Sequence, residues 1–156
     1  MPRLLLVAAG VLISGASFAA SPSEAVKFFY GPPLQYEPDI ELRGRFVDPA
    51  KGIFEQNDKS LANDQEVPCI EASPGIDAQD YDETELARTL ELTEVVDGDT
   101  ATVTARFTLF PGSTDDTAKR EMRWTLKQVD GAWLVSDIES VTSKWKLSDI
   151  ECELSN

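Results

Sequence analysis

Apolar residues recur at helical spacing in the first part of this chain and alternate with polar ones in the last part. In SPSEAVKFFYGPP, Val26, Phe29 and Tyr30 fall at i, i+3 and i+4 and share one face. Ser21 is placed to cap, Pro22 suits the first helical position, and Glu24 completes an S-x-x-E box. Gly31, Pro32 and Pro33 end the helix. A second helix is predicted in FVDPAKGIFEQNDKSLAND, with Asp48 as cap and Pro49 in the first turn. Ile53, Phe54 and Leu61 form its buried stripe, and Gly52 weakens it by about 1 kcal/mol relative to alanine. A short helical piece fits between the two, at Pro38 to Phe46.

Residues 63 to 83 break both periodicities. The stretch is acidic and carries Pro68, Pro74 and Gly75, so it reads as a long loop, a kind that is often functional inside a compact domain. Beyond it the period becomes two. Leu86, Leu90, Leu92 and Val96 lie on one parity of a first strand, and Asp97-Gly98 turns the chain. Ala101, Val103, Ala105, Phe107 and Leu109 alternate with polar residues in a second strand. Met122, Trp124 and Leu126 mark a third, Asp130-Gly131 turns again, and Trp133 to Val141 runs back. Both Asp-Gly pairs suit two-residue type I′ hairpins. The tail, TSKWKLSDIECEL, reads as a last short helix or an extended cover burying Trp145, Leu147 and Ile150. Helices followed by a four-stranded antiparallel meander imply an α+β domain with the helices packed on one sheet face.

The start of the chain changes where this domain is placed. Arg3 precedes an apolar or small run from Leu4 to Ile13, and Ser17-Phe18-Ala19 offers small residues for cleavage. Residues 1–19 therefore read as a signal peptide and 20–156 as a single domain. The run is too short to span a bilayer, so no stable membrane insertion is expected after cleavage. Of 14 basic and 28 acidic residues only Arg3 would be lost, leaving a formal charge of −15. Such a chain repels nucleic acid and anionic lipid and suits a basic protein partner. In a periplasmic or secreted setting, Cys69 and Cys152 are expected to form a disulfide.

The order of parts, with DGAWLVSDI closing a hairpin, resembles the nuclear transport factor 2-like superfamily, whose members often carry a D-G-x-W-x-[IV] hairpin ahead of the last strand. More narrowly, SPSEAVKFFY, GIDAQDYDE, WTLKQVDGAWLVSDI and WKLSDIECEL are similar to a family of exported bacterial proteins known only as a domain of unknown function. The resemblance implies a cone-like, cystatin-like arrangement of helices on a curved four-stranded sheet. It brings no activity, because the superfamily includes isomerases, dehydratases, transport factors and plain binding modules.

The chemistry is bounded by what is missing. The chain has no histidine, which removes the usual general base near neutral pH, the usual zinc ligand and the Ser-His and Cys-His pairs. No glycine-rich phosphate loop is present. The acids Asp77, Asp80, Asp82, Glu83 and Glu85 do not match an EF-hand, so a solvated acidic loop is favoured over a cation site. No cofactor and no metal are expected. Asp137 is the best-placed base, and Tyr30, Tyr36 and Tyr81 are candidate hydroxyl donors. Asp137 shares strand parity with Trp133 and Val135, whereas Leu134, Ser136 and Ile138 share the other. If the first set faces inward, Asp137 is buried and needs Arg106, Arg123 or a backbone donor. Strand parity alone does not place it in a cavity, so a structural role is favoured. Trp124, Trp133 and Trp145 are read as core for the same reason.

The expectation is thus an exported, non-enzymatic binding domain. Its specific form is an inhibitor or immunity-type protein that blocks a cell-wall-acting enzyme through residues 77 to 85. The binding candidates are Tyr30, Asp77, Asp80, Asp82, Arg123 and Asp137. The alternatives are an isomerase or dehydratase using Asp137 or Asp77 as base in a deep closed cavity, and a carrier of a small apolar ligand.

Overall fold

In a computed structural model of the chain, residues 21–62 and 68–152 are described. The predicted signal peptide lies outside them, as does the start of the long loop.

The first helix, α1 (Pro22–Tyr30), has its capping box in place: Ser21 Oγ accepts from the Glu24 N–H and the Glu24 carboxylate accepts from the Ser21 N–H. Its buried face is Val26, Phe29 and Tyr30, joined by Ala25. A 3-10 turn follows at Ile40–Arg45. Then comes α2 (Ala50–Ala62), where Asp48 Oδ1 accepts from the Gly52 N–H. The stripe of α2 differs from the sequence expectation. Ile53 and Phe54 are buried, but Leu61 is 50% exposed and the stripe continues through Asn57 and Ser60. Asn57 holds an inward position because its Oδ1 accepts from the Ile70 N–H at 3.0 Å, satisfying loop backbone that packs beside the helix.

The third helix, α3 (Glu83–Thr89), occupies the place where the strand pattern begins in the sequence. Asp82 caps it through the Glu85 N–H, and Leu86 is buried from a helix and not from a strand. The sheet is antiparallel with five strands in sequence order: β1 (Glu91–Asp97), β2 (Thr100–Thr108), β3 (Lys119–Val129), β4 (Ala132–Ser140) and β5 (Trp145–Lys146). The fifth strand is two residues of the tail, which then makes a 3-10 turn at Leu147–Asp149. The tail is thus a short strand with a turn, and the meander has one more strand than its alternation announces.

The two hairpin turns are not alike. Asp130 and Gly131 both have positive φ, 49° and 81°, as type I′ requires. In the first hairpin Asp97 pairs with Thr100, so the central residues are Gly98 and Asp99. Only Gly98 has positive φ there, which is the type II′ pattern.

Helices cover one sheet face. Val103, Ala105 and Phe107 of β2, Met122, Trp124 and Leu126 of β3, and Val135 and Ile138 of β4 point into that layer. Phe29 stacks on Trp124 at 5.1 Å between ring centres, Tyr30 meets it edge-on at 5.8 Å, and Phe46 meets Phe54 at 4.8 Å. These rings pack together in the layer between helices and sheet.

Candidate functional site

The long loop returns to the sheet through a tight turn at Ser73–Asp77, and that turn organises the region. The N–H groups of Ile76 and Asp77 both donate to the Ser73 carbonyl. Asp77 ends the turn at φ 55°, a left-handed conformation that aspartate tolerates better than most side chains. From there its carboxylate gathers three donors. Oδ2 accepts from Ser140 Oγ at 2.6 Å and Ser143 Oγ at 2.5 Å, and Oδ1 accepts from Trp145 Nε1 at 2.7 Å. Arg120 Nε donates to the Asp77 carbonyl at 3.0 Å and lies 3.6 Å from Oδ2. One residue thereby ties the acidic segment to β3, β4 and the tail.

The other side of the turn is held by a carboxylate that sequence reasoning missed. Glu37 is fully buried; its Oε2 accepts from Ser73 Oγ at 2.7 Å and its Oε1 from the Gly75 N–H at 3.2 Å. Burial pushes its pKa up to about 7, against the opposing pull of the Ser73 hydroxyl and the backbone donors. Tyr30 completes the clamp. Its hydroxyl donates to the Gly75 carbonyl at 2.6 Å and accepts from Trp124 Nε1 at 3.1 Å. Burial, chiefly, raises the Tyr30 pKa well above the usual tyrosine value. No period or motif marks Glu37 in the sequence. The nearest signal is the Ser-Pro-Gly turn that it holds.

Gly75 sits where the turn, Glu37 and Trp124 converge. A Cβ there would overlap the Glu37 carboxylate and lie 2.5 Å from Trp124 Cζ2. Gly75→Ala is therefore expected to cost about 2 kcal/mol by overpacking, read as a lower urea midpoint with an unchanged m-value. An unchanged midpoint would mean that the turn is not packed on Trp124.

The six sequence candidates do not converge on one pocket. Tyr30 is a buried clamp and Asp77 is a tether, on opposite sides of the same turn. Asp82 is consumed as the cap of α3, its N–H donating to the Leu109 carbonyl at 2.7 Å. Asp80 is exposed, as is Glu83 at the start of α3. Arg123 pairs with Glu139 at 3.0 Å on the uncovered sheet face. Asp137 is buried under the tail, with Oδ2 3.0 Å from Lys146 Nζ and Oδ1 accepting from the Ser148 N–H at 3.1 Å.

The parity question for Asp137 is answered by a bulge. Leu126 pairs with Val135, but the next pair is Thr125 with Asp137, leaving Ser136 as the extra residue. Val135 and Ile138 therefore both face the core, one from each parity set. Asp137 turns to the other side, and the carboxylate anchors the tail.

Beside the turn lies an open groove of about 330 Å³, with Ile70, Pro74, Ala78, Trp145 and Ile150 among its walls and Cys69 at its edge. Cys69 is bonded to Cys152, with Cα atoms 5.5 Å apart, so the disulfide joins the loop to the tail beside this groove. Among the described residues, no group of three metal-ligating side chains is placed to hold an ion, and no helix is long and apolar enough to cross a membrane.

No family model matches the chain, and no curated protein matches it. Among solved structures, its fold is similar to a chain of the type VI native effector–immunity complex Tae3–Tai3 from Ralstonia pickettii. The TM-score is 0.52 and the identity 20%, over 81% of this chain and 100% of that one. At that identity the likeness speaks to the fold.

Proposed function

We propose that this chain is an exported binding protein of the immunity type, which neutralises a basic, cell-wall-acting enzyme by docking through its acidic segment, residues 77 to 85. The observation that carries the reading is the clamped turn. Asp77 and Glu37 fix the base of the segment from two sides, while Asp80 and Glu83 stand exposed above it. A segment held in one conformation before it meets its partner loses little entropy on binding. Exposed acids on a chain of formal charge −14 steer a cationic partner toward it. The fold shared with a chain of an effector–immunity complex supports the same reading. So does the packing of the Phe29, Tyr30 and Trp124 rings between helices and sheet, where an isomerase-type site would need an open cavity. Kinship with the nuclear transport factor 2-like superfamily and export to an oxidising compartment, where the Cys69–Cys152 bridge is at home, belong to this proposal.

The test is to mix the protein with cationic peptidoglycan hydrolases at low and high salt and follow complex formation by sedimentation. A complex that weakens with salt, and about tenfold on Asp80→Lys with Glu83→Lys, is expected. Asp82 is left intact because it caps α3. Loss of nothing on double charge reversal would contradict the assignment of the surface.

The groove beside Trp145 favours a second reading, a carrier of a small apolar ligand. Native mass spectrometry of freshly purified protein would reveal the adduct, and Ala78→Trp would remove it.

A further inference from the structure

The sheet has two edges, and the molecule treats them differently. The β4 edge is covered over part of its length. The Val47 N–H donates to the Val135 carbonyl at 2.9 Å, the tail satisfies Asp137 through the Ser148 N–H, and β5 pairs with Glu139 and Ser140. The β1 edge has no such cover among the described residues. Its only ladder is with β2, from Glu91 against Arg106 to Asp97 against Thr100.

The two-residue turn fixes which backbone groups are left over. A type II′ hairpin closes on a hydrogen-bonded pair, here Asp97 with Thr100, and bonding alternates from there. Asp97, Val95, Thr93 and Glu91 bond inward to β2. Leu92, Glu94 and Val96 turn their N–H and C=O groups to the open edge.

The charges that guard this edge strand are acids alone: Glu91, Glu94 and Asp97. β1 contains no lysine, no proline and no bulge. Glu94, the charge at its centre, is occupied as an acceptor for the Ser23 N–H at 2.8 Å at the start of α1. Val95 is 71% exposed on one face and Val96 49% exposed on the other. This is a strand of seven residues with Val95 and Val96 exposed toward its turn end and, among the described residues, unpaired polar backbone along its rim.

Charge selects the occupant. A second copy pairing antiparallel about Glu94 would set Glu94 against Glu94 and Glu91 against Asp97 at both ends, between two chains of formal charge −14. Like charges directly opposite destabilise a ladder. We propose that β1 accepts an extended, basic segment of another protein as a sixth strand. Main-chain bonds to Leu92, Glu94 and Val96 hold it, apolar side chains lie beside Val95 and Val96, and lysine or arginine lies beside Glu91 and Asp97. This inference does not rest on the acidic segment, which lies outside β1.

The probe is a short synthetic peptide alternating valine and lysine, with a valine–glutamate peptide as control, added to the full protein. Amide exchange is read by NMR. The lysine peptide is expected to slow exchange at Leu92, Glu94 and Val96 at least about tenfold, and the glutamate peptide to leave it unchanged. Val96→Pro removes an N–H that faces the open edge, a place where proline is tolerated, and is expected to abolish the protection. Val96→Lys keeps the backbone and is expected to weaken binding by repulsion. The Asp80→Lys, Glu83→Lys protein is expected to bind the peptide as the parent does, which separates this surface from the acidic segment. Protection that appears elsewhere, survives Val96→Pro, or occurs equally with the glutamate peptide would overturn the proposal. So would a dimer that forms without peptide and disappears in Val96→Pro, since the second copy would then be the occupant.

Discussion

Replacing Cys69 and Cys152 together by serine is expected to lower stability more than any other change considered. The bridge closes a loop with a sequence separation of 83. Opening it returns about 4.5 kcal/mol of chain entropy to the unfolded state. Other contacts hold the tail as well, beginning with the pairing of β5 on β4. Trp145 bonds to Asp77, Lys146 and the Ser148 N–H bond to Asp137, and Leu147 is buried. Those contacts remain in the double variant, so the native fold is retained with a lower urea midpoint. The loss is read from urea unfolding of the parent and the variant. A difference below about 1 kcal/mol would mean that the unfolded chain is already compact enough to bring residues 69 and 152 together.

The second large effect is a pH dependence with a sign opposite to that of most carboxylates. Glu37 has a folded-state pKa of about 7 against 4.5 for the free side chain, and burial is the main cause. Between those values the folded state keeps a proton that the unfolded state has released. Stability contributed by the protonated acid is complete below pH 4.5 and is lost as the pH rises toward 7. The span corresponds to about 3 kcal/mol, at 1.36 kcal/mol per pKa unit for a buried group. Burial, chiefly, and to a smaller extent the Glu37 charge shift the nearby Tyr30, Tyr36 and Tyr81 upward, so they stay protonated throughout this window. Glu37→Gln keeps an oxygen for the Gly75 N–H and offers an amide to Ser73 Oγ. Unfolding free energies measured at pH 5 and pH 8 are expected to differ by about 2.5 kcal/mol less in the variant than in the parent. Equal differences in both proteins would show that Glu37 is charged in the fold.

The helical and strand periods carried most of the architecture. α1 follows from Ser21, Glu24 and the Val26-Phe29-Tyr30 face, and the sheet core follows from the alternation at 101–109 and 122–126. What escaped was decided by residues acting across the chain. Leu86 suits a strand by parity, yet Asp82 and Glu85 form a helix start that outweighs it. Asp137 could not be placed by counting because one extra residue, Ser136, switches the phase of β4. The site was less legible still. Asp77 was visible as an acid in a loop, but its partners Ser140, Ser143 and Trp145 lie more than sixty residues away. Glu37 carries no local signature, since its role exists only once the Ser73–Gly75 turn folds over it.

The most direct measurement is of inhibition. A cationic wall hydrolase that binds the protein is assayed on its polymer as the protein is titrated in. Activity is expected to be lost at one equivalent and recovered when Asp80→Lys and Glu83→Lys are introduced together. Full activity at saturating protein, or inhibition that the double reversal leaves untouched, would contradict it.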